Sequence, residues 1–527
     1  MKNLLTTSLA MLCILNVTNA QITFQKGYGG TQLDEAKSIQ QTYDHGYIIA
    51  GNTYSFGQGV WDAYLIKTDS TGSILWTKTF GDVYENYIYA VTQAVDSGIV
   101  AVGYTQNIGT NSRDIYLIKT NASGTLLWSK IIGWNGNDEG HSVKQTSDGG
   151  YIICGLANEN GGVGACLVKT DNNGDVTWAK KYDDITSNGY VEFGSSAEQT
   201  SDGGYILAGQ SENSFCAGGS DMYLTKTDAN GNIVWNKLYG GIDHDFAYSV
   251  KQTMDGGYIM AGYTLSYGAG NEDVSLVKTD SFGDTLWCKT YGGSLRDYSY
   301  SVSQTTDGGY ILSGYTETFG AGGNDFYLIK VNAGGNLQWT KTFGGNSDER
   351  AFDVRQTSDV GYIVAGLTDG FGLNATSFYV VKTDSMGNSG CNQGNAITSI
   401  GSCPFTIGIP TTAAITGGTY SNTPTLISSG GSDTTLCITI PTGTNDIADN
   451  NSILFYPNPF TSQITLSGVN EKGSIEIFDM TGKSILKISP QTDRIKINTE
   501  SLISGLYFIR YFEGTKIINI KVVKYKE

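Results

Sequence analysis

The chain has 527 residues, of which 70 are Gly, 33 are Tyr and only 16% are Asp, Glu, Lys or Arg. Such a composition describes short strands joined by tight turns and excludes a mainly helical protein. The net charge is -17, and since the residues from Asn451 onward hold ten Lys or Arg against seven Asp or Glu, the remainder carries -20; an acidic body excludes nonspecific binding to nucleic acid or anionic membrane.

Taken in chain order, residues 1–20 read as a signal peptide. Lys2 supplies the positive start, Leu4 to Val17 is mostly apolar, and Thr18-Asn19-Ala20 puts small residues at the cleavage positions. No later run approaches the ~18 apolar residues of a membrane helix. The mature chain is expected to begin near Gln21, with no transmembrane segment.

A repeat then runs from residue 21 to residue 388. Gly-Tyr-Ile recurs at Gly46, Gly150, Gly204, Gly257, Gly309 and Gly361, with a degenerate copy at Gly98-Ile99-Val100. A Lys-Thr-Asp element or near variant also occurs seven times, from Lys67 to Lys382. A Trp strand occurs six times, at Trp76, Trp128, Trp178, Trp235, Trp287 and Trp339. The last unit ends in SMGNSGCNQ and lacks that strand, whereas Ile22 to Gly30, ITFQKGYGG, matches it with Phe24 in the Trp place.

Each unit reads as four strands, for instance AYSVKQT, YIMAGYT, VSLVKTD and TLWCKTY between Ala247 and Tyr291. Seven such units, the last completed by the N-terminal strand, predict an all-β, seven-bladed propeller closed by that strand and followed by a small β-sandwich. The segment LIKTDSTGSILWTKTFG at Leu65 to Gly81 resembles the repeat of pyrroloquinoline-quinone-type propellers, and kelch-type propellers are a looser likeness. That resemblance implies fold alone, because no stretch matches the quinone pocket.

The repeated Trp residues are expected to pack between blades, and the Asp and Gly of the KTDxxG and DGG elements to shape turns. Longer, variable connections lie on the opposite rim, where binding is normally placed. Trp61 and Trp134 stand there outside the repeat and are candidate ligand platforms, with cover of a neighbouring loop as the alternative. Lys37, Tyr89, His141, Ser195, Tyr248, Tyr300 and Phe352 precede the core of each innermost strand and are expected to ring a channel mouth. Tyr89, Tyr248 and Tyr300 are its candidate ligand contacts, unless the aromatics merely fill the channel.

Asp138, Glu139, Asp183, Asp184, Asp243, Asp245, Asp297, Asp348 and Glu349 share this rim. No cofactor is expected; calcium suits such oxygen ligands, but no dedicated calcium loop appears and bonding to loop amides is the competing role. The three His, His45, His141 and His244, fall in different units without a nucleophile signature, so no catalytic residue is assigned. Cys154 and Cys166 are candidates to face each other on adjacent strands, either bridged or simply packed.

Residues 389–450 are rich in Ser, Thr, Gly and Pro and read as a linker or small module held by Cys403 and Cys437. The final segment, 451–527, contains Tyr456-Pro457-Asn458-Pro459-Phe460, SIEIFDMTGK at Ser474 to Lys483, LISGLYFIRY at Leu502 to Tyr511 and KVVK at Lys521 to Lys524. These resemble the C-terminal sorting domain of the type IX secretion system of Bacteroidota, with Pro457, Asn458, Pro459, Gly482, Lys483, Gly505 and Tyr507 as motif residues. The resemblance implies the type IX machinery as a partner and delivery to the outer-membrane surface or the medium. The expected function is non-enzymatic binding or adhesion to a glycan or protein; the alternatives are a secreted polysaccharide-acting enzyme using rim carboxylates and a purely structural surface protein.

Overall fold

A computed structural model describes residues 21–439 and 454–524. Within these ranges it leaves out 107–111, 160–161, 185–191, 213–218, 372, 374, 409–411, 417–418, 423–425, 457–461, 468, 480–482, 493, 503–504 and 514–515. The described residues form an all-β structure. They divide into two compact units, Gln21–Ile440 and a second containing Pro441–Glu527.

In the larger unit, seven five-stranded antiparallel sheets are present among the described residues. The first holds Asp34–Gln41, Tyr47–Thr53, Asp62–Thr68 and Ile74–Gly81, and the next five repeat this four-strand meander. The seventh takes only Glu349–Gln356, Tyr362–Thr368 and Ser377–Thr383 from its own repeat. Its fourth strand is Thr23–Gly29, which runs antiparallel to Ser377–Thr383 with Phe24 opposite Lys382. Buried Gln25 ties this strand down, accepting from Tyr379 Oη at 2.7 Å and donating to Ser389 Oγ at 2.7 Å.

The expected linker supplies the fifth strands. Gln393–Gly394, Ser399–Gly401, Thr406–Gly408, Thr412–Thr416, Thr419–Asn422 and Leu426–Ser428 pair with the fourth strands of the sixth, fifth, fourth, third, second and first sheets in that order. Ser432–Thr439 then pairs with Thr23–Gly29 in the seventh sheet. Fourth strands would otherwise be open edges, and an open edge exposes unpaired N–H and C=O groups to other chains. A Ser/Thr-rich segment suits this place because its backbone does the pairing and it needs no apolar core of its own.

The cysteines follow the same path, and they correct the expected Cys403–Cys437 bridge. Cys391 pairs with Cys437, and Cys403 pairs with Cys288 on the fourth strand of the fifth sheet. Cys403 lies between the second and third strands of the edge-covering segment, while Cys391 and Cys437 are near its two ends. Cys154 and Cys166 do not face each other. Cys154 stands opposite Leu167 and Cys166 opposite Gly155, so the two thiols enter different hydrophobic cores on opposite faces of the third sheet.

Successive sheets meet by a repeated contact. The Trp of one fourth strand sits edge-on to the Tyr that starts the next sheet's second strand, as in Trp178 to Tyr205 at 5.6 Å and Trp339 to Tyr362 at 5.7 Å between ring centres. It also covers the next sheet's KTDxxG turn. At Gly283 the φ of 77° demands glycine, and a Cβ there would come within 2.9 Å of Trp235. Phe24 makes the same contact with Tyr47 of the first sheet, at 5.9 Å.

The smaller unit packs a three-stranded sheet (Leu454–Tyr456, Gln463–Ser467, Arg494–Asn498) and a four-stranded sheet (Ser484–Ile488, Ser474–Phe478, Gly505–Glu513, Lys516–Lys524). Alternating Ile475 and Ile477, Tyr507, Ile509 and Tyr511 are buried in its core with Ile464 and Leu466.

Candidate functional site

Each first strand carries a β-bulge, and the bulged residue is the one singled out in the sequence. Pairing with the second strand skips from Ala36 to Ser38, Ile88 to Ala90, Gly140 to Ser142, Gly194 to Ser196, Ala247 to Ser249, Ser299 to Ser301 and Ala351 to Asp353. Lys37, Tyr89, His141, Ser195, Tyr248, Tyr300 and Phe352 are therefore left unpaired and re-aimed, which is what a bulge does to a side chain. A glycine opposite makes room for it. At Gly103 a Cβ would lie 1.8 Å from the Tyr87 carbonyl oxygen.

Most of these side chains form one continuous band. Tyr248 lies 4.8 Å from Tyr300, and Tyr300 lies 5.4 Å from Phe352. The Lys37 ammonium sits 4.3 Å above the Phe352 ring and 5.7 Å from Tyr87, and it pairs with Glu35 at 3.0 Å. Tyr87 touches Tyr89 at 5.0 Å, and Tyr89 meets His141 edge-on at 5.0 Å. His141 Nδ1 is 2.9 Å from the Gly194 carbonyl, next to Ser195.

Several further aromatics belong to the band and were not singled out in the sequence. Tyr87 and Tyr104, Phe246 and Tyr263, and Tyr298 and Tyr315 are direct cross-strand partners, at 5.5, 4.7 and 4.6 Å. The readable signal was Gly-Tyr-Thr at Gly103, Gly262 and Gly314, where other units have Asn, Leu or Gln after the Gly.

The two extra Trp residues part company. Trp61 lies edge-on to Tyr54 at 5.6 Å and to Tyr87 at 6.0 Å, and so extends the band outward. Trp134, also partly buried, packs against the core between the second and third sheets with its indole nitrogen buried.

Glu139 is the charged hub of this region. It accepts from Arg113 at 2.8 Å and Tyr89 Oη at 3.1 Å, and His141 Nε2 is 3.4 Å away. Burial works to raise its carboxyl, but the His141 and Arg113 contacts win and hold it at about 2. Burial and the Glu139 charge push the Tyr89 hydroxyl well above its usual range. Other carboxylates singled out in the sequence accept from backbone amides. Asp138 accepts from Trp134 N at 2.6 Å and Asn158 N at 2.8 Å, Asp297 from Gly293 N at 2.8 Å, Glu349 from Gly345 N at 2.8 Å and Asp348 from Asn324 N at 3.0 Å. Burial raises Asp138 and Glu349 to about 7. No group of three or more acidic, His or Cys side chains suited to a metal ion occurs among the described residues.

In the smaller unit, Tyr507 is a core residue, Gly505 starts the strand Gly505–Glu513, and Lys483 N donates to Asp479 at 3.1 Å. Pro457, Asn458, Pro459 and Gly482 fall outside the described residues. Residues 454–525 match the family of secretion system C-terminal sorting domains. The chain carries a type IX sorting domain. It is thereby a secreted or outer-membrane surface protein, and the secretion machinery is a partner of that domain. No helix among the described residues is long and apolar enough to cross a membrane.

No curated protein matches the sequence. Among solved structures, PorZ, an essential bacterial surface component of the type IX secretion system of Porphyromonas gingivalis, is similar at 11% identity and a TM-score of 0.25, over 94% of this chain and 51% of PorZ. The chain thus spans about half the length of PorZ. The polysaccharide lyase Uly1 is similar at 11% identity and a TM-score of 0.43, over 68% of this chain and 90% of the lyase. The extracellular domain of the hybrid two-component system BT3049 of B. thetaiotaomicron is similar at 8% identity and a TM-score of 0.15, over 93% of this chain and 73% of that one.

Proposed function

We propose that the seven sheets are the blades of a closed propeller, exported by a signal peptide in residues 1–20, whose aromatic band binds carbohydrate at the cell surface. Closure is supported by contacts that run from the seventh sheet back to the first. Glu349–Gln356 adjoins Asp34–Gln41, just as each first strand adjoins the next. Phe24 occupies the Trp seat against Tyr47. Ser358 N donates to Gln41 Oε1 at 2.8 Å, in the place where Thr306 N donates to Gln356 and Met254 N to Gln304. In this arrangement the first strands line a channel, with the bulged residues at its wide mouth.

The observation that carries the binding reading is the continuous band from Tyr248 through Tyr300, Phe352, Lys37 and Tyr87 to Tyr89, extended outward by Trp61. Partly buried Tyr and Trp rings can offer apolar faces to the C–H surfaces of a sugar ring, with their polar edges toward its hydroxyls. Catalysis by the rim carboxylates has weaker support. Glu139 already holds three partners, Tyr89 is held protonated, and Asp138, Asp297 and Glu349 are engaged with loop amides.

The test is glycan-array binding by the mature full chain beside a Tyr87→Ala, Tyr300→Ala variant that still melts cooperatively. Binding by the parent and its loss in the variant is the expected result. Capture of a protein but no glycan would reassign the ligand class, turnover of a polysaccharide panel would establish an enzyme, and no binding of either kind would leave a structural role.

A further inference from the structure

Three residues beyond each bulge, the first strands place Gln40, Thr92, Lys144, Glu198, Lys251, Ser303 and Arg355 at one level. Three of these are cationic and one is anionic, and Asp353 adds a second carboxylate from just above. In a chain of net charge -17 this is a local excess of positive charge.

Both carboxylates are fully engaged. Asp353 accepts from Ser38 Oγ at 2.9 Å, Ile39 N at 3.1 Å and Ser301 Oγ at 3.0 Å, and it pairs with Arg355 at 3.2 Å. Glu198 accepts from Gln252 N and pairs with Lys251 at 3.4 Å, while the Lys251 ammonium also donates to Val250 O at 3.0 Å. The ammonium of Lys144, a partly buried residue, has no hydrogen bond or ion pair among the described residues. Burial first, and then the Arg355 and Lys251 charges of the seventh and fifth sheets, disfavour its charged form, while the Asp353 and Glu198 charges act the other way. An unpaired ammonium near two further cations, with both neighbouring carboxylates already bonded to other groups, gains from an anion supplied from outside.

We infer that the channel binds one small anion, a halide, carboxylate or inorganic oxyanion, on the Lys144 ammonium with Lys251 and Arg355 flanking it. The inference rests on the closed-propeller reading, because only a closed set of first strands confines these three groups together. The site lies past the aromatic mouth and takes a different ligand class from it. Lys and Arg are the natural donors for such an anion, Arg355 with a planar fork and Lys144 as a point charge.

The experiment is a thermal melt of the mature full chain in a buffer whose own anion is too bulky for the channel, titrated separately with chloride, acetate and sulfate at constant ionic strength. At least one anion is expected to raise the melting temperature along a saturating curve. Lys144→Met should melt higher than the parent before anion is added, and should shift the titration midpoint at least tenfold or abolish it. Lys472→Met, an exposed lysine of the sorting domain, should leave the curve unchanged. A parent that gives no saturating response, or one that Lys144→Met leaves intact, overturns the site. If the response is missing but Lys144→Met still stabilises, the channel is closed and merely lacks the anion. If neither effect is seen, Lys144 is solvated and the closed arrangement fails as well.

Discussion

Lys278 and Asp255 show how single residues join turns that lie far apart in a unit. The Lys278 side chain is 4% exposed, its ammonium is 3.0 Å from Asp255, and it also donates to Thr279 O at 2.8 Å. Every unit has this pair, down to Lys382 with Asp359 in the seventh. Burial acts to raise these aspartates, but hydrogen bonds from the neighbouring Thr and Lys hold Asp202 and Asp307 at about 2. Their stabilisation is present above the unfolded carboxylate value of about 3.9 and is lost as pH falls toward about 2. At the other ends of the strands the sign reverses. Burial raises Asp62, Asp273 and Asp325 to about 6 and Asp138 and Glu349 to about 7, so the folded state holds more protons than the unfolded state between about 4 and 7. That contribution is complete below about 4 and is lost as pH rises through 6 to 7. Melting temperature is therefore expected to rise from pH 8 to pH 5 and to drop again below pH 4, as differential scanning fluorimetry across that range would show; a steady rise toward pH 8 would contradict the burial of the rim carboxylates.

The edge-covering segment is the least ordinary element. Seven short strands between Gln393 and Thr439 visit seven sheets, and the Cys391–Cys437 bridge, with a sequence separation of 46, ties the segment near its two ends. Linking 46 residues of an unfolded chain accounts for roughly 4 kcal/mol in the loop-entropy model. Cys391→Ser is expected to lower unfolding free energy by about 2–4 kcal/mol, read from denaturant melts of the oxidised protein; a loss below about 0.5 kcal/mol would mean that strand pairing alone holds the segment. A chain ending at Gly390 would bare seven fourth-strand edges and is expected to aggregate, visible by light scattering. Binding studies therefore need the chain at least to Ile440.

At the scale of the whole molecule, two ends of the chain have separate tasks. Thr23–Gly29 completes the last sheet, and the sorting domain directs export. Deleting residues 21–30 removes Phe24, Gln25 and the Lys26–Asp433 ion pair of 2.9 Å together, and it is expected to abolish cooperative melting of the large unit. An unchanged melt would show that the seventh sheet does not depend on this strand. Deleting residues 451–527 should leave a folded protein in the periplasm, checked by fractionation; appearance of that truncated protein in the medium would deny the sorting role.

Repeats made the architecture legible. Seven copies of one strand pattern, and a missing Trp strand matched by ITFQKGYGG, carry the sheet content and the role of the N-terminal strand, because period and turn chemistry are local properties. The bulged residues were also legible, since they keep one offset from each Gly-Tyr-Ile. Their company was not. Tyr104, Tyr263 and Tyr315 join the band only through cross-strand register, and Gln41, Gln93, Gln145, Gln199, Gln252, Gln304 and Gln356, visible in every unit, gain meaning only when each accepts from the neighbouring unit's turn.

Residues 389–440 mark the boundary between the two kinds of information. Their sequence determines a polar, β-permissive chain without a core of its own, and no local signal says where such a chain will pair. The seven waiting sheet edges decide that, as they decide that Cys403 meets Cys288. A strand's partner at an edge is chosen by unsatisfied backbone groups, and those belong to the folded sheet before they belong to any residue.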